Sequence, residues 1–294
     1  MSRPAAIADL QAALERTGYV LDRSLASALV AMSDLGRPLL VEGDPGVGKT
    51  EIAKALARAR EARLIRLQCY EGLDTHHALY EWNYQRQLLA IKIAETSVAS
   101  LDDADLFSER YLLKRPLLAA LTEPEPPVLL IDEIDRADEA FEAFLLELLS
   151  DFQVTIPELG TIEAVSVPMV ILTSNATREL SDALRRRCLY YYLDFPSFER
   201  ELAIVLRRLP GTPARLARQM VEFVQSLRAL DLRKKPGIAE TLDWAAALLG
   251  LGIGSLDEAG PERLRDSLVA LLKTRDDLRV VDGTVLDRLV AMAC

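Results

Sequence analysis

The sequence predicts an α/β fold: a parallel five-stranded sheet between helices, followed by a small all-α region. Three observations carry this. Short apolar runs alternate with helix-like segments over residues 1–196. One of those runs leads into Gly43-Asp44-Pro45-Gly46-Val47-Gly48-Lys49-Thr50, which fits the phosphate-binding pattern G-x-x-x-x-G-K-[ST]. Beyond Pro196, over residues 197–294, only helical periodicity remains.

Bulk properties bound the answer. The 294 residues are 50% hydrophobic, with a mean hydropathy of +0.10, which is enough for one large domain or two smaller ones. A net charge of −10 and a pI near 4.9 weigh against non-specific nucleic-acid binding, which needs Lys and Arg to neutralise phosphates. Cys69, Cys188 and Cys294 are widely spaced and form no C-x-x-C pair, so neither a zinc site nor a disulfide framework is expected, and a reducing, cytoplasmic setting is. Ala5 to Leu14 is interrupted by Asp9 and Gln11, unlike a signal peptide, and no apolar run is long enough to span a bilayer. The adjacent His76 and His77 suit neither a metal site on a helix face nor a catalytic triad.

In chain order, Pro4 to Arg16 reads as a helix with Ile7, Leu10 and Leu14 on one face, broken by Gly18-Tyr19-Val20. A second helix spans about Asp22 to Leu35, with Gly36 as its C-terminal stop. Pro38 to Val41 is the strand before the glycine-rich loop, and Glu51 to Arg60 the helix after it. Leu64 to Leu67 is a second strand. Glu71 to Tyr84 is irregular and carries Tyr80, Trp82 and Tyr84, of which core packing is expected to claim at least one. Gln85 to Ala94 reads as helix, Leu101 to Leu106 as an acidic turn, and Tyr111 to Leu121 as helix. Val128 to Ile131 is an apolar run of the kind found in strands covered on both faces. Asp138 to Leu149 is helical. Phe152 to Pro157 and Thr161 to Val165 flank Glu158-Leu159-Gly160 as a hairpin. Met169 to Thr173 and Leu189 to Leu193 are strands on either side of a short helix, Leu180 to Arg187. Helices follow at Phe198 to Arg208, Pro213 to Leu230, Gly237 to Leu249, Pro261 to Lys273 and Thr284 to Met292.

The chemistry is concentrated in a few positions. Glycines let the loop backbone curl so that its N–H groups face phosphate oxygens, and the following helix N-terminus adds positive potential. Lys49 would reach the β- and γ-phosphates, and the Thr50 hydroxyl would bind Mg²⁺. Asp132 ends the apolar strand where an acid can hold Mg²⁺ through water. Glu133, next along the chain, is suited to orient or deprotonate the attacking water. An acidic helix cap would explain this pair in isolation; beside a phosphate loop that explanation is the weaker one. Asn175 ends the next strand, where an amide can bond both water and a γ-phosphate oxygen. Arg185-Arg186-Arg187 fits either dipole complementation at a helix C-terminus or an arginine offered to a neighbouring subunit's phosphoryl group.

Gly43 to Thr50, Leu129 to Asp135, Thr173 to Asn175 and Ala183 to Cys188 together resemble the Walker A, Walker B, sensor 1 and arginine-finger segments of AAA+ ATPases, in the correct order. The resemblance covers nearly the whole chain. It implies an α/β nucleotide-binding domain over 1–196 and a helical lid over 197–294. It also implies Mg-ATP as substrate, with nucleotide contacts from Gly43, Asp44, Pro45, Gly46, Val47, Gly48, Lys49, Thr50 and Glu51. Tyr19 and Val20 match the segment lining the adenine pocket. Asp132 and Thr50 match the Mg²⁺ ligands, Glu133 the water-activating acid and Asn175 sensor 1. Arg187 best matches the finger, with Arg186 as fallback.

The finer pattern is similar to the MoxR clade, through a helical insertion at about 75–100 and a hairpin at about 152–165. Within that clade, Arg37 to Gly43, Gln153 to Ile162 and Lys235 to Trp244 resemble the ATPases that assist maturation of molybdenum-copper carbon monoxide dehydrogenase. The resemblance implies a homo-hexameric ring, a partner with a von Willebrand A domain and a metalloenzyme client. One departure stands out. Ala239 and Glu240 occupy the place where many AAA+ lids carry a sensor 2 arginine; Arg233, Lys234 or Lys235 substitutes, or the contact is absent. Two other readings compete. A DNA-handling AAA+ subunit of a restriction or loader complex is opposed by the acidic balance. A non-catalytic nucleotide-binding scaffold is opposed by the presence of Glu133 and the arginines.

Overall fold

The computed structural model describes residues 3–96 and 103–294. Along the chain come α1 (Arg3–Arg16), α2 (Arg23–Leu35), β1 (Leu39–Glu42), α3 (Lys49–Ala59), β2 (Leu64–Gln68), α4 (Thr75–Ala78), β3 (Tyr80–Trp82) and α5 (Tyr84–Thr96). They continue with α6 (Asp103–Leu106), β4 (Leu112–Lys114), α7 (Pro116–Leu121), β5 (Val128–Asp132), α8 (Glu139–Asp151), β6 (Gln153–Ile156), β7 (Gly160–Glu163), β8 (Met169–Ser174), α9 (Asp182–Arg187) and β9 (Leu189–Tyr192). The rest is helical: α10 (Phe198–Arg208), α11 (Ala214–Arg228), α12 (Ile238–Gly250), α13 (Pro261–Ser267), α14 (Arg275–Val280) and α15 (Gly283–Ala293).

Two compact units emerge. One gathers Ser24–Glu42 and Ala53–Tyr192 with the start of α1; the other gathers Gln11–Arg23, Gly43–Ile52 and Leu193–Cys294. The first is built on a five-stranded parallel sheet in the order β2-β5-β8-β1-β9, as the sequence predicts. Its central strand β5 is buried at every residue, the pattern expected of a strand covered on both faces. Because all five strands run the same way, Asp132, Ser174, Glu42 and Tyr192 end their strands at the same edge of the sheet. Open parallel sheets carry their chemistry at these carboxyl ends. In the second unit, α10 to α15 enclose a core centred on Phe223 and Trp244, whose rings lie 4.9 Å apart.

Most expected elements are present, with four corrections. Residues Tyr111 to Leu121 are not one helix. A 3₁₀ turn at Glu109–Tyr111 leads into β4, and α7 starts afresh with Pro116 at its first turn. Proline has no N–H to continue a helix but is well suited to begin one. Residues Glu71 to Tyr84 are more ordered than expected, because β3 pairs antiparallel with β4 and places Trp82 opposite Leu112. Tyr80 and Trp82 are buried there, with Trp82 edge-on to Phe107, whereas Tyr84 is 62% exposed. The helix expected over Pro261 to Lys273 ends at Ser267, whose hydroxyl accepts from Trp244 Nε1 and donates to the Leu264 carbonyl. Helix α14 went unread; Thr274 caps it by accepting from Asp277 N–H. The expected insertion at about 75–100 and the acidic turn at Leu101 to Leu106 both extend into 97–102, outside the described residues.

Candidate functional site

The acid cluster belongs to the sheet unit. Val128 to Ile131 are apolar and buried, so the chain stays extended until Asp132, which is 3% exposed. Its Oδ1 accepts from Thr173 Oγ1 at 2.5 Å, and its Oδ2 accepts from the Arg66 guanidinium at 2.6 and 3.1 Å. Arg66 lies on β2, where its neighbours Ile65 and Leu67 turn into the core. Both carboxylate oxygens of Asp132 are thus held, and Arg66 keeps its charge balanced.

Glu133 sits in the left-handed region at φ +56°, uncommon for a residue with a side chain. Its N–H donates to the same Thr173 Oγ1 at 2.9 Å, and its carboxylate meets Arg136 Nε at 2.9 Å. One threonine hydroxyl therefore fixes both acids: it donates to one and accepts from the backbone of the other. Non-glycine residues held in sparsely populated backbone regions cluster at functional sites. Two residues further on, Asp135 Oδ2 accepts from the backbone N–H groups of Asn175 and Thr177 and from Thr177 Oγ1. Burial pushes its carboxyl up, but these hydrogen bonds outweigh that and hold it below the usual value. The effect is to pin the turn after β8 and so to place Asn175 next to the acids' strand.

Cys69 follows β2, and its N–H donates to the Asp132 carbonyl. Burial and the neighbouring Asp132, Asp135 and Glu133 push its thiol up to about 12, so it is an inert apolar filler. Cys188 is likewise buried and pushed up to about 12 by burial. His77 Nδ1 lies 2.7 Å from Asp74 Oδ1 at the start of α4.

The arginine run divides its tasks. Arg185 pairs with Glu42 Oε2 at 3.3 Å, while Glu42 Oε1 accepts from Tyr190 Oη. Arg187 Nε donates to Ser150 Oγ. Arg186 is exposed, and its side chain makes no hydrogen bond or ion pair seen among the described residues. Arg37 ties down the backbone of all this by donating to the carbonyls of Arg186, Arg187 and Cys188.

The phosphate loop belongs to the other unit. Gly46 and Gly48 have φ of +83° and +98°, which side chains rarely tolerate. Lys49 is 7% exposed, and its ammonium donates to the carbonyls of Gly43 at 2.6 Å and Asp44 at 2.8 Å. Val47 is buried beneath the loop. Glu51 meets Arg208 at 2.9 Å. In the same unit, Tyr19 is buried and Val20 offers its carbonyl to Arg200 Nε, while Arg200 Nη1 donates to Asp22 Oδ2. The glycine cradle and the buried lysine suit a polyphosphate. Thr50 in this unit carries a hydroxyl, and Asp132 in the sheet unit a carboxylate; each by its own chemistry is a hard oxygen donor of the type Mg²⁺ takes. Among the described residues no group of three or more His, Cys, Asp or Glu could hold a metal ion.

The sequence singles out Lys49, Thr50, Asp132, Glu133 and Asn175 as candidates, but not Thr173 as the link between the acids, nor Arg66. Thr173 carried a faint signal as the only polar residue before Ser174 in an apolar strand; Arg66 carried none beyond standing between Ile65 and Leu67.

The model of the AAA domain (dynein-related subfamily) matches residues 38–188. The gas vesicle ATPase GvpN of Haloferax mediterranei is 26% identical over 253 residues, covering 82% of this chain and 69% of GvpN. The chaperone protein ClpB of Chlamydia muridarum is 29% identical over 165 residues, covering 54% of this chain but only 17% of ClpB. The chain thus spans a small part of ClpB's length. Among solved structures, a point mutant of RuvB from Thermotoga maritima shares the fold at a TM-score of 0.50 and 17% identity, covering 97% of this chain and 73% of that one.

Proposed function

This chain belongs to the dynein-related subfamily of AAA domains, and from that premise we propose that it hydrolyses Mg-ATP to remodel a partner protein. The observation that carries the reading is the shared Thr173 hydroxyl, which locks Asp132 and the left-handed Glu133 into one arrangement. In the reaction, loop N–H groups and Lys49 bind the phosphates. Glu133 accepts a proton from water as the water oxygen attacks the γ-phosphorus, the bond to the bridging oxygen breaks, and ADP leaves with phosphate. Asn175 orients that water. Thr50 and Asp132 would hold Mg²⁺, which when bound neutralises phosphate charge.

The arginine for a neighbouring subunit is best supplied by Arg186, because Arg185 is committed to Glu42 and Arg187 to Ser150. The exposed Arg186 supports a ring, and the resemblance to MoxR-clade ATPases supports a hexamer with a von Willebrand A-domain partner. The same resemblance, at Arg37 to Gly43, Gln153 to Ile162 and Lys235 to Trp244, supports a metalloenzyme client of the carbon monoxide dehydrogenase kind. No helix among the described residues is long and apolar enough to cross a membrane.

A Glu133→Gln variant tests this. It should bind ATP normally yet turn it over at least ~100-fold more slowly, the scale of general-base loss. Normal turnover overturns the role of Glu133. Immobilised in the ATP-bound state, the variant should retain a metalloenzyme subunit from its host extract; retention of DNA instead would overturn the client assignment.

A further inference from the structure

The start of α12 makes an unusually close approach to the phosphate loop, within the same compact unit. Ile238 N–H donates to the Gly46 carbonyl at 2.9 Å. Beside that bond the two chains meet glycine to glycine. A Cβ added at Gly237 would stand 2.6 Å from both the Cα and the carbonyl oxygen of Gly46, a separation that no side chain accepts. The reverse holds more gently: a Cβ on Gly46 would meet the Gly237 Cα at 3.1 Å.

The helix end is itself held from several sides. Glu240 reaches back to accept from Gly237 N–H at 3.0 Å, and Thr241 N–H donates to the Gly237 carbonyl. Arg228 Nε donates to the carbonyl of Pro236, the preceding residue. Arg228 is itself buried and paired at both carboxylate oxygens of the fully buried Glu201, at 2.6 and 2.7 Å. Thr241 Oγ1 donates to the same carboxylate. The pair ties α10, α11 and α12 together, so the segment Pro236-Gly237-Ile238 is positioned by the core of the helical unit.

Peptide geometry turns this contact into a statement about binding. The Gly46 carbonyl and the Val47 N–H share one planar peptide, and no peptide among the described residues is cis. In a trans peptide these groups point in opposite directions. With the carbonyl drawn outward to Ile238, the Val47 N–H is aimed to the other side, where a phosphate loop presents its donors. We propose that Gly237 and Ile238 are positioning residues for nucleotide binding: a backbone latch through which α12 sets the Gly46–Val47 peptide. The latch rests on the reading of Gly43 to Thr50 as a nucleotide loop.

Ile238 is the first residue of α12, and Gly237 before it is extended, with φ −85° and ψ −173°. Proline is suited to the first helical position and an extended residue precedes it, so Ile238→Pro keeps the helix and deletes the donated N–H; it also replaces the isoleucine side chain, a loss that Ile238→Ala controls for. The test is equilibrium binding of N-methylanthraniloyl-ATP with Mg²⁺, alongside steady-state kinetics and far-UV circular dichroism. Ile238→Pro should keep parental helicity and kcat while raising Kd and KM about 5-fold, the scale of one hydrogen bond. Ile238→Ala retains the N–H and should bind as the parent does. Gly237→Ala should weaken binding further, at least ~10-fold, because it forces the backbones apart. Parental affinity in Ile238→Pro, or equal losses in Ile238→Pro and Ile238→Ala, overturns the latch. A parent chain that fails to bind the nucleotide at all overturns the reading of the loop instead.

Discussion

The acid cluster at the ends of β5 and β8 is held by side chains, whereas the phosphate loop is held by backbone. In the sheet unit, Thr173, Arg66 and Asp135 each reach across to a neighbouring strand or turn and fix one acid or amide. In the helical unit, the contacts that define the loop are a lysine on its own carbonyls, Gly43 against the backbone of Leu193 and Gly46 against that of Gly237. The difference follows from what each part has to present. Acids must be aimed, which neighbouring hydroxyls and a guanidinium achieve. A phosphate cradle must bring N–H groups close to a ligand, which requires that side chains be absent.

This contrast predicts how the two regions fail. The largest effect belongs to Gly43→Ala. Its Cβ would lie 2.2 Å from the Leu193 carbonyl oxygen, a backbone atom that cannot swing away. We expect a loss of at least ~2 kcal/mol in denaturant unfolding, together with loss of nucleotide binding. Parental stability and affinity would show that the loop tolerates side chains as the acid cluster does.

Thr173→Val should be milder and of another kind. The shape is kept, but Asp132 Oδ1 loses a donor and Glu133 N–H loses its acceptor. A cost of ~1–3 kcal/mol in stability is expected, the range for buried groups left unpaired. Turnover should fall while nucleotide affinity holds. If Kd rises and kcat stays, the division between a binding region and a hydrolytic region is wrong.

The smallest effect is a pH dependence. Asp277 is 1% exposed and accepts from Thr274 Oγ1 and from the N–H groups of Arg233 and Lys234, on the approach to Gly237. Burial pushes its carboxyl up, but these bonds outweigh that and hold it below 3.8. A carboxyl depressed on folding contributes stability that is complete above its unfolded value and is lost as pH falls through its folded one. Asp277→Asn should therefore lower the melting temperature at neutral pH by a few degrees, the shift that ~1 kcal/mol gives a domain of this size. Its gap from the parent should narrow below pH 3.8. A gap that is constant with pH would mean that the charge on Asp277 contributes nothing.

How much of this was legible beforehand differs between the two regions for the same physical reason. The acids, the loop and Asn175 lie at strand ends or in a glycine pattern, where a local run of residue types is enough to place them. Thr173 was placed within the sensor segment, yet its double role needs β5 and β8 to be neighbours, with Leu130 beside Ile171. The β3–β4 pairing escaped because Leu112–Lys114 is too short to show alternation, and Pro116 hid the restart of the helix. Gly237 was visible only as the start of a helix. That it must be a glycine depends on Gly46, which is far away in sequence.

By itself the sequence determined the five strands of the parallel sheet, the helical run beyond Pro196 and the glycine-rich phosphate-loop pattern, because hydrophobic period and local turn chemistry are properties of neighbouring residues. The tertiary structure alone decided which arginine stays uncommitted, which hydroxyl joins the two acids, and which glycine the phosphate loop leans on, because each is a contact between segments that chain order does not bring together.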